Sequence, residues 1–237
     1  MNPETLAALD QAKRDKRPVV LATQLPSGEQ IVLPDPAAPD ELNAAAAHAL
    51  ERDESGTVKL GATDWFLHAY NPPLRLIVVG AVHIAQALVP FAVPCGFSVT
   101  VVDPRRSFAS DERFPGVAIS TDWPDEALEA FVPDSRTAVV TLTHDPKLDD
   151  PALDRALKSQ AFYIGALGSR RTHAARLQRL RDLGHQDNAL SRIRGPVGLN
   201  IEAVTAPEIA LSIIAEIVAV RRNAGMPAKP LPAKFAP

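Results

Sequence analysis

Four short groups of residues in this chain combine turn geometry with ionisable side chains, and each raises a chemical question. The first, Gly80-Ala81-Val82-His83, follows the apolar run Leu74–Val79, as the turn of a dinucleotide-binding fingerprint follows its strand. Only the first glycine of that fingerprint is present. Val82 stands at the second glycine position, where its branched side chain fills the space a pyrophosphate needs against bare backbone, and Ala85 stands at the third. Asp103 lies 23 residues after Gly80, near the spacing of the acid that holds a ribose hydroxyl. The turn reads either as a nucleotide site of low affinity or as a structural turn. Arg105 and Arg106 follow, able to accept a ligand phosphate or to sit in a solvated turn.

The third group, His144-Asp145 in "LTHDPKLDDPAL", ends an apolar run. A histidine beside a carboxylate can act as base, proton relay or partial metal site. It can equally pack while the aspartate caps the next turn. No serine or cysteine nucleophile is evident nearby, so ligand contact is favoured over catalysis. Asp149 and Asp150 read as helix-start residues.

The fourth group, "GALGSRRTHAARLQRLRDLG", is the most informative. A strand ends at Gly165, a turn reaches Gly168, and a helix begins near Ser169. Arg170 and Arg171 then occupy the first helical turn, where the helix dipole already concentrates positive charge and cations cost up to about 1 kcal/mol. An anion held by the free N–H groups and the guanidinium forks would offset that cost. The competing reading is a generally basic helix face, since Arg176, Arg179 and Arg181 follow. The glycines on both sides favour the anion site.

The elements that must position these groups follow from pattern. The chain has 237 residues, 46% hydrophobic and 22% charged, with net charge −3, which fits a globular protein and argues against nucleic acid as its main partner. One cysteine, Cys95, excludes an internal disulfide and a cysteine zinc cluster. The N-terminal stretch has no apolar signal core and no run is long enough to span a membrane, so a cytoplasmic location is expected. Residues 1–73 read as a small α+β module. Val19–Ala22 and Gln30–Leu33 form a hairpin, "DELNAAAAHALERD" a helix capped by Asp40, and "DWFLHAY" a strand before Asn71-Pro72-Pro73. Residues 74–225 alternate Val/Ile-rich runs with helical patterns, which predicts a Rossmann-like, doubly wound α/β fold with a parallel sheet ordered 3-2-1-4-5. Helix starts are read at Pro124, at Asp150-Pro151, and at the Thr205/Glu208 capping box, with Ile209, Ile213, Ile214, Ile217 and Val218 on one stripe. Pro90 and Pro94 predict a break or kink near Phe91, closed by Gly96. Residues 226–237 form a proline-rich tail, read as loose or partner-docked.

"GAVHIAQAL…VTVVDPRRSFASDERFPG", "LTHDPKLDDPAL", "YIGALGSRRTHAARLQRL" and "IRGPVGLNIEAVTAPEIALSIIAEIVAVRR", in this order, resemble the XdhC/CoxF family of accessory factors for molybdenum hydroxylases. The resemblance runs from about Leu74 to Arg222. It implies a non-catalytic carrier that binds molybdenum cofactor (molybdopterin) and passes it to an apo molybdenum hydroxylase such as xanthine dehydrogenase. It also implies a cysteine desulfurase and a molybdopterin nucleotidyltransferase as further partners, and a homodimer. Three departures stand out. The family's Gly-Ala-Gly-His turn has Val82 here, its Gly-Leu-Asp-Ile-Gly-Ala motif reads "GLNIEA", and its N-terminal Gly-Gly-Cys-Val-Glu segment has no counterpart in residues 1–73. The cofactor-binding residues expected are Gly80, Val82, His83, Asp103, Arg105, His144, Asp145, Gly165, Gly168, Ser169, Arg170 and Arg171, with no catalytic or metal-ligating set. NAD(P) is expected to bind weakly. The alternatives are an NAD(P)-dependent oxidoreductase and a scaffold that binds only the target enzyme.

Overall fold

The computed structural model describes residues 2–224, so the proline-rich tail expected over 226–237 lies outside the described residues. The chain divides into two compact units, Met1–Pro72 and Pro73–Pro237.

In the first unit, α1 (Pro3–Arg14), β1 (Val19–Leu25), β2 (Gln30–Leu33), α2 (Asp40–Arg52), β3 (Gly56–Leu60) and β4 (Thr63–Tyr70) follow one another. The strands form an antiparallel sheet ordered β2-β1-β4-β3. The hairpin expected from Val19–Ala22 and Gln30–Leu33 is β1–β2. Alternation along β1 sends Val20 and Ala22 to a core with Leu42, Ala46 and Ala49 of α2, and Val19 and Leu21 to a core with Leu9 and Ala12 of α1. Asp40 is not the N-cap of α2. Pro39 holds that position without a side-chain bond, and Asp40 is the first helical residue, where its charge still favours the helix dipole.

In the second unit, β5 (Leu74–Val79), α3 (His83–Ala92), β6 (Phe97–Val102), β7 (Ala118–Ser120), α4 (Pro124–Phe131), β8 (Thr137–Thr141), α5 (Pro146–Leu157), β9 (Tyr163–Ala166), α6 (Arg170–Asp182), α7 (Asp187–Leu190), β10 (Ile193–Arg194) and α8 (Ala206–Arg221) build the α/β fold. All six strands are parallel, ordered β10-β9-β8-β5-β6-β7, which is the expected order with one more short strand. Leu76 and Val78 of β5 face α3 and α8, whereas Ile77 and Val79 face α4, α5 and α6. Both sheet faces are thus covered, which is why the central strands read as Val/Ile-rich, largely apolar runs.

Three helix expectations need correction or refinement. Helix α5 begins at Pro146, not at Asp150-Pro151, because Asp145 caps it by accepting the Lys147 N–H at 2.9 Å. Pro151 falls inside the helix. Helix α3 continues through Pro90 to Ala92, and Gly96 at φ +85° then turns the chain into β6. On α8 the capping box forms as read, and Ile213, Ile214 and Ile217 are buried, but Val218 is 36% exposed.

Candidate functional site

A parallel sheet puts the C-terminal ends of all its strands on one edge, and the helices that follow begin there. Backbone bonds lace the loops on that edge together. Gly80 N–H donates to Val102 O at 2.8 Å, Leu142 to Val79 O at 2.9 Å, Leu167 to Thr141 O at 2.9 Å, and Val197 to Ala166 O at 3.1 Å. Gly80 has φ +109°, and a Cβ there would stand 2.5 Å from Thr143 Cγ2, so only glycine lets the β5 and β8 loops approach so closely.

The β5 turn is filled by the chain itself. Asp103 is fully buried; its Oδ2 accepts the Ala81 N–H at 2.9 Å and Arg105 Nη2 at 2.8 Å, and its Oδ1 accepts Arg105 N and Nε. Burial opposes ionisation of this carboxyl, but the Arg105 and Ala81 hydrogen bonds outweigh it and hold its pKa below the ordinary value. The same hydrogen bond raises Arg105, with a smaller contribution from Asp145 across the crevice. Arg113 adds a second clasp, donating to Ala81 O at 2.9 Å, Phe108 O at 2.8 Å and Gln86 Oε1 at 2.9 Å. Arg105 stacks over the Phe108 ring at 4.4 Å. Val82 is half-buried as the N-cap of α3, and His83 is exposed on its first turn with Nδ1 3.3 Å from Gln86 Oε1.

In the β8 loop His144 is exposed at φ +62°, and Asp145 spends one oxygen on the helix cap. Asp149 and Asp150 are not plain helix-start residues. Asp149 accepts the Thr143 hydroxyl at 2.6 Å and lies 3.3 Å from Arg176, with both side chains essentially buried. Burial raises the Asp149 pKa against the pull of Thr143 and Arg176, and burial lowers that of Arg176 against the pull of Asp149. Asp150 pairs with Arg179, whose Nη2 donates at 3.0 Å. Arg176 and Arg179 therefore do not belong to a solvated basic face.

The β9–α6 junction keeps the arrangement read from sequence. Gly165 lies within β9, Gly168 has φ +144°, and Ser169 caps α6 by accepting the Thr172 N–H at 3.1 Å. Arg170 and Arg171 are exposed in the first turn. Among the described residues, neither guanidinium makes a hydrogen bond or ion pair, and the N–H groups of Ser169, Arg170 and Arg171 have no acceptor.

The expected residues thus lie on neighbouring loops of one edge. Gly80, Val82 and His83 follow β5, Asp103 and Arg105 follow β6, His144 and Asp145 follow β8, and Gly168 to Arg171 follow β9. Asp103 is turned into the protein rather than toward the crevice. Sequence reasoning missed Arg113, Thr143, Asp149 and Arg176. A signal existed for Arg176, which shares a helical face with the buried His173, Leu177 and Leu180. A separate cavity of about 160 Å³ lies at the opposite edge, lined by Phe162, Tyr163, Arg192 and Arg194 among others. The Arg192 guanidinium there is spent on the carbonyls of Leu157, Ser159 and Ala161. Among the described residues, no helix is long and apolar enough to cross a membrane.

Comparison with known proteins fits this architecture. Residues 76–217 match the family described as the XdhC Rossmann domain. The chain is 35% identical over 163 residues to the molybdenum cofactor insertion chaperone PaoD of Escherichia coli, covering 67% of this chain and 45% of the relative. It is 33% identical over 162 residues to a probable xanthine dehydrogenase subunit of Bacillus subtilis, covering 68% and 47%. The matched region therefore spans just under half the length of these curated relatives. A crystal structure from Bacillus halodurans, described as a xanthine dehydrogenase, superposes with a TM-score of 0.69 at 25% identity, covering 96% of this chain and 66% of that one. The chain belongs to the XdhC Rossmann-domain family.

Proposed function

We propose that this protein is a maturation factor that binds molybdenum cofactor by its phosphate-bearing end and delivers it to an apo molybdenum hydroxylase of the xanthine dehydrogenase type. The observation that carries the reading is the pair of exposed, unpaired arginines, Arg170 and Arg171, at the N-terminus of α6 beside open backbone donors. Cations at that end of a helix are unfavourable unless an anion accompanies them. His83, His144 and Asp145 on the neighbouring loops would line the same mouth. The identity of the ligand comes from the relatives, one of which is named for insertion of this cofactor. In this reading the protein carries and hands over the cofactor without transforming it. The enzymes that install the cofactor's sulfur or attach its nucleotide are further partners, and the carrier works as a homodimer in the cytoplasm.

The test is retention of molybdopterin and activation of an apo-hydroxylase by wild type and by the Arg170→Ala/Arg171→Ala double variant. Two charge-assisted contacts of about 1.5–3 kcal/mol each predict a loss of roughly two to four decades in affinity. The melting temperature should barely change, because both side chains are exposed. Unchanged retention in a folded double variant would place the ligand elsewhere.

A further inference from the structure

We propose that the Gly168–Arg171 turn is an anion subsite selective for a phosphate monoester dianion, with the buried guanidinium of Arg176 as its fixed counter-charge. The proposal rests on the reading above for where a phosphate end would sit, and not on what the rest of the ligand is.

Arg176 is 1% exposed and projects from the second turn of α6 back toward the helix start. One nitrogen makes its polar contacts. Nη2 donates to Leu167 O at 2.9 Å and faces Asp149 Oδ2 at 3.3 Å. Nε and Nη1 are buried and have no acceptor. Such orphaned donors are rare in a guanidinium that serves packing alone. Nη1 lies 3.8 Å from where a Cβ on Gly168 would stand, so the charge sits directly beneath the turn. Above it, the N–H groups of Ser169, Arg170 and Arg171 are open.

The charge balance sets the ligand class. Asp149 offsets Arg176 in part, and nothing among the described residues offsets Arg170 and Arg171. A phosphate monoester brings two negative charges and three terminal oxygens to this end. Each phosphorus of a pyrophosphate diester brings one charge and two such oxygens. The two sources of positive charge also differ in their response to salt. Arg170 and Arg171 stand in solvent and are screened, whereas Arg176 acts through one layer of backbone and is not.

The experiment is calorimetric titration of the full chain with inorganic phosphate and with methyl phosphate, at about 0.05 M and about 0.5 M sodium chloride, with NADH as the diester. Wild type should bind both phosphates, with part of the affinity surviving high salt, and should bind NADH more weakly. Arg170→Ala/Arg171→Ala should remove mainly the salt-sensitive part. Arg176→Met should weaken the salt-resistant part about tenfold or more. Asp149→Asn keeps the shape of the pair but uncovers the guanidinium charge, so it should tighten phosphate binding several-fold. A role for the pair in packing alone predicts that Asp149→Asn weakens binding as Arg176→Met does, and that outcome overturns the proposal. So does an unchanged high-salt affinity in folded Arg176→Met. If that variant does not fold, Asp149→Asn beside Arg176→Lys decides by the direction of the two shifts. Phosphate binding that follows this pattern without molybdopterin retention would leave the subsite standing and remove the cofactor reading. No phosphate binding to wild type would remove the subsite.

Discussion

The carboxylate of Asp103 accepts the backbone N–H of Ala81 at 2.9 Å inside the protein. In a dinucleotide-binding fold the acid at this spacing faces a ribose, and the turn amides face a pyrophosphate. Here the acid holds the turn and is itself held by Arg105, while Arg113 clasps Ala81 from the other side. The first βα unit has kept the shape of a nucleotide site and closed it with its own side chains. Open anion donors remain one strand beyond β8, at the start of α6.

Dinucleotide binding should accordingly stay weak even after the obvious repair. Val82→Gly restores the missing glycine but leaves Asp103 engaged by Arg105. NADH affinity measured by fluorescence should improve appreciably only in Val82→Gly combined with Arg105→Ala. A sub-micromolar dissociation constant for NAD or NADP in the unaltered protein would contradict the closed turn.

Gly165 makes a second close approach, this time between β9 and the loop that follows β10. A Cβ at this residue would come within 2.6 Å of Val197 Cγ2 and 2.8 Å of Tyr163 Cε1. Gly165→Ala should therefore cost about 1–3 kcal/mol by overpacking, read as a lower midpoint in urea. A neutral effect would mean that Val197 and its loop yield freely.

The parts of the fold that were legible in the sequence share one property, that their signal is local. Val/Ile-rich runs marked β5, β6 and β8 because strands covered on both faces need no regularly polar side. Ser169 and the Thr205/Glu208 box marked the starts of α6 and α8 because capping is a three-residue interaction. Asn2-Pro3 carries the same kind of signal for α1. Strand β3 is short and largely exposed, so it offered no apolar pattern. The buried ion pairs were invisible for another reason. Asp149 and Arg176 lie 27 residues apart, and only the packing of α5 beside α6 brings them together. Asp145 looked like a ligand and Asp150 like a cap, when the cap is Asp145. A single residue type serves both roles, and only the helix start distinguishes them.

Glu216 is fully buried on α8, where it accepts the Tyr163 hydroxyl at 2.6 Å and the Gly198 N–H at 2.9 Å. The two bonds tie β9 and the loop after β10 to α8. Tyr163→Phe removes a donor to a buried carboxylate and should cost about 1.5–3 kcal/mol. Burial first, and then the neighbouring Glu216, push the Tyr163 hydroxyl well above its ordinary value, so this loss should be constant across neutral pH. Chemical denaturation of wild type and variant from neutral to mildly alkaline pH checks both the size and the constancy.

The Asp103 clasp should show itself in acid. Its carboxyl has a folded pKa below the ordinary 3.8, so the unfolded chain binds the proton more readily than the folded one. The sign follows directly. Stability from this group is fully present above 3.8 and is lost as pH falls below it, through the folded pKa. Asp103→Asn should cost about 1.5–3 kcal/mol at neutral pH, because its one oxygen can keep the Ala81 N–H and Arg105 Nη2 bonds while its NH2 then faces the Arg105 N–H and Nε donors that the second carboxylate oxygen accepts. The gap between the two proteins should then narrow as the wild-type carboxylate is protonated. Asp134 and Asp154 are also lowered and Asp149 is raised, so each of these groups adds an acid slope to both proteins. Those slopes are common to both and cancel in the difference, which isolates Asp103. Urea unfolding of both proteins over a series of acidic buffers measures that difference, and a gap that stays constant well below pH 3.8 would show that Asp103 is not held as a charged clasp.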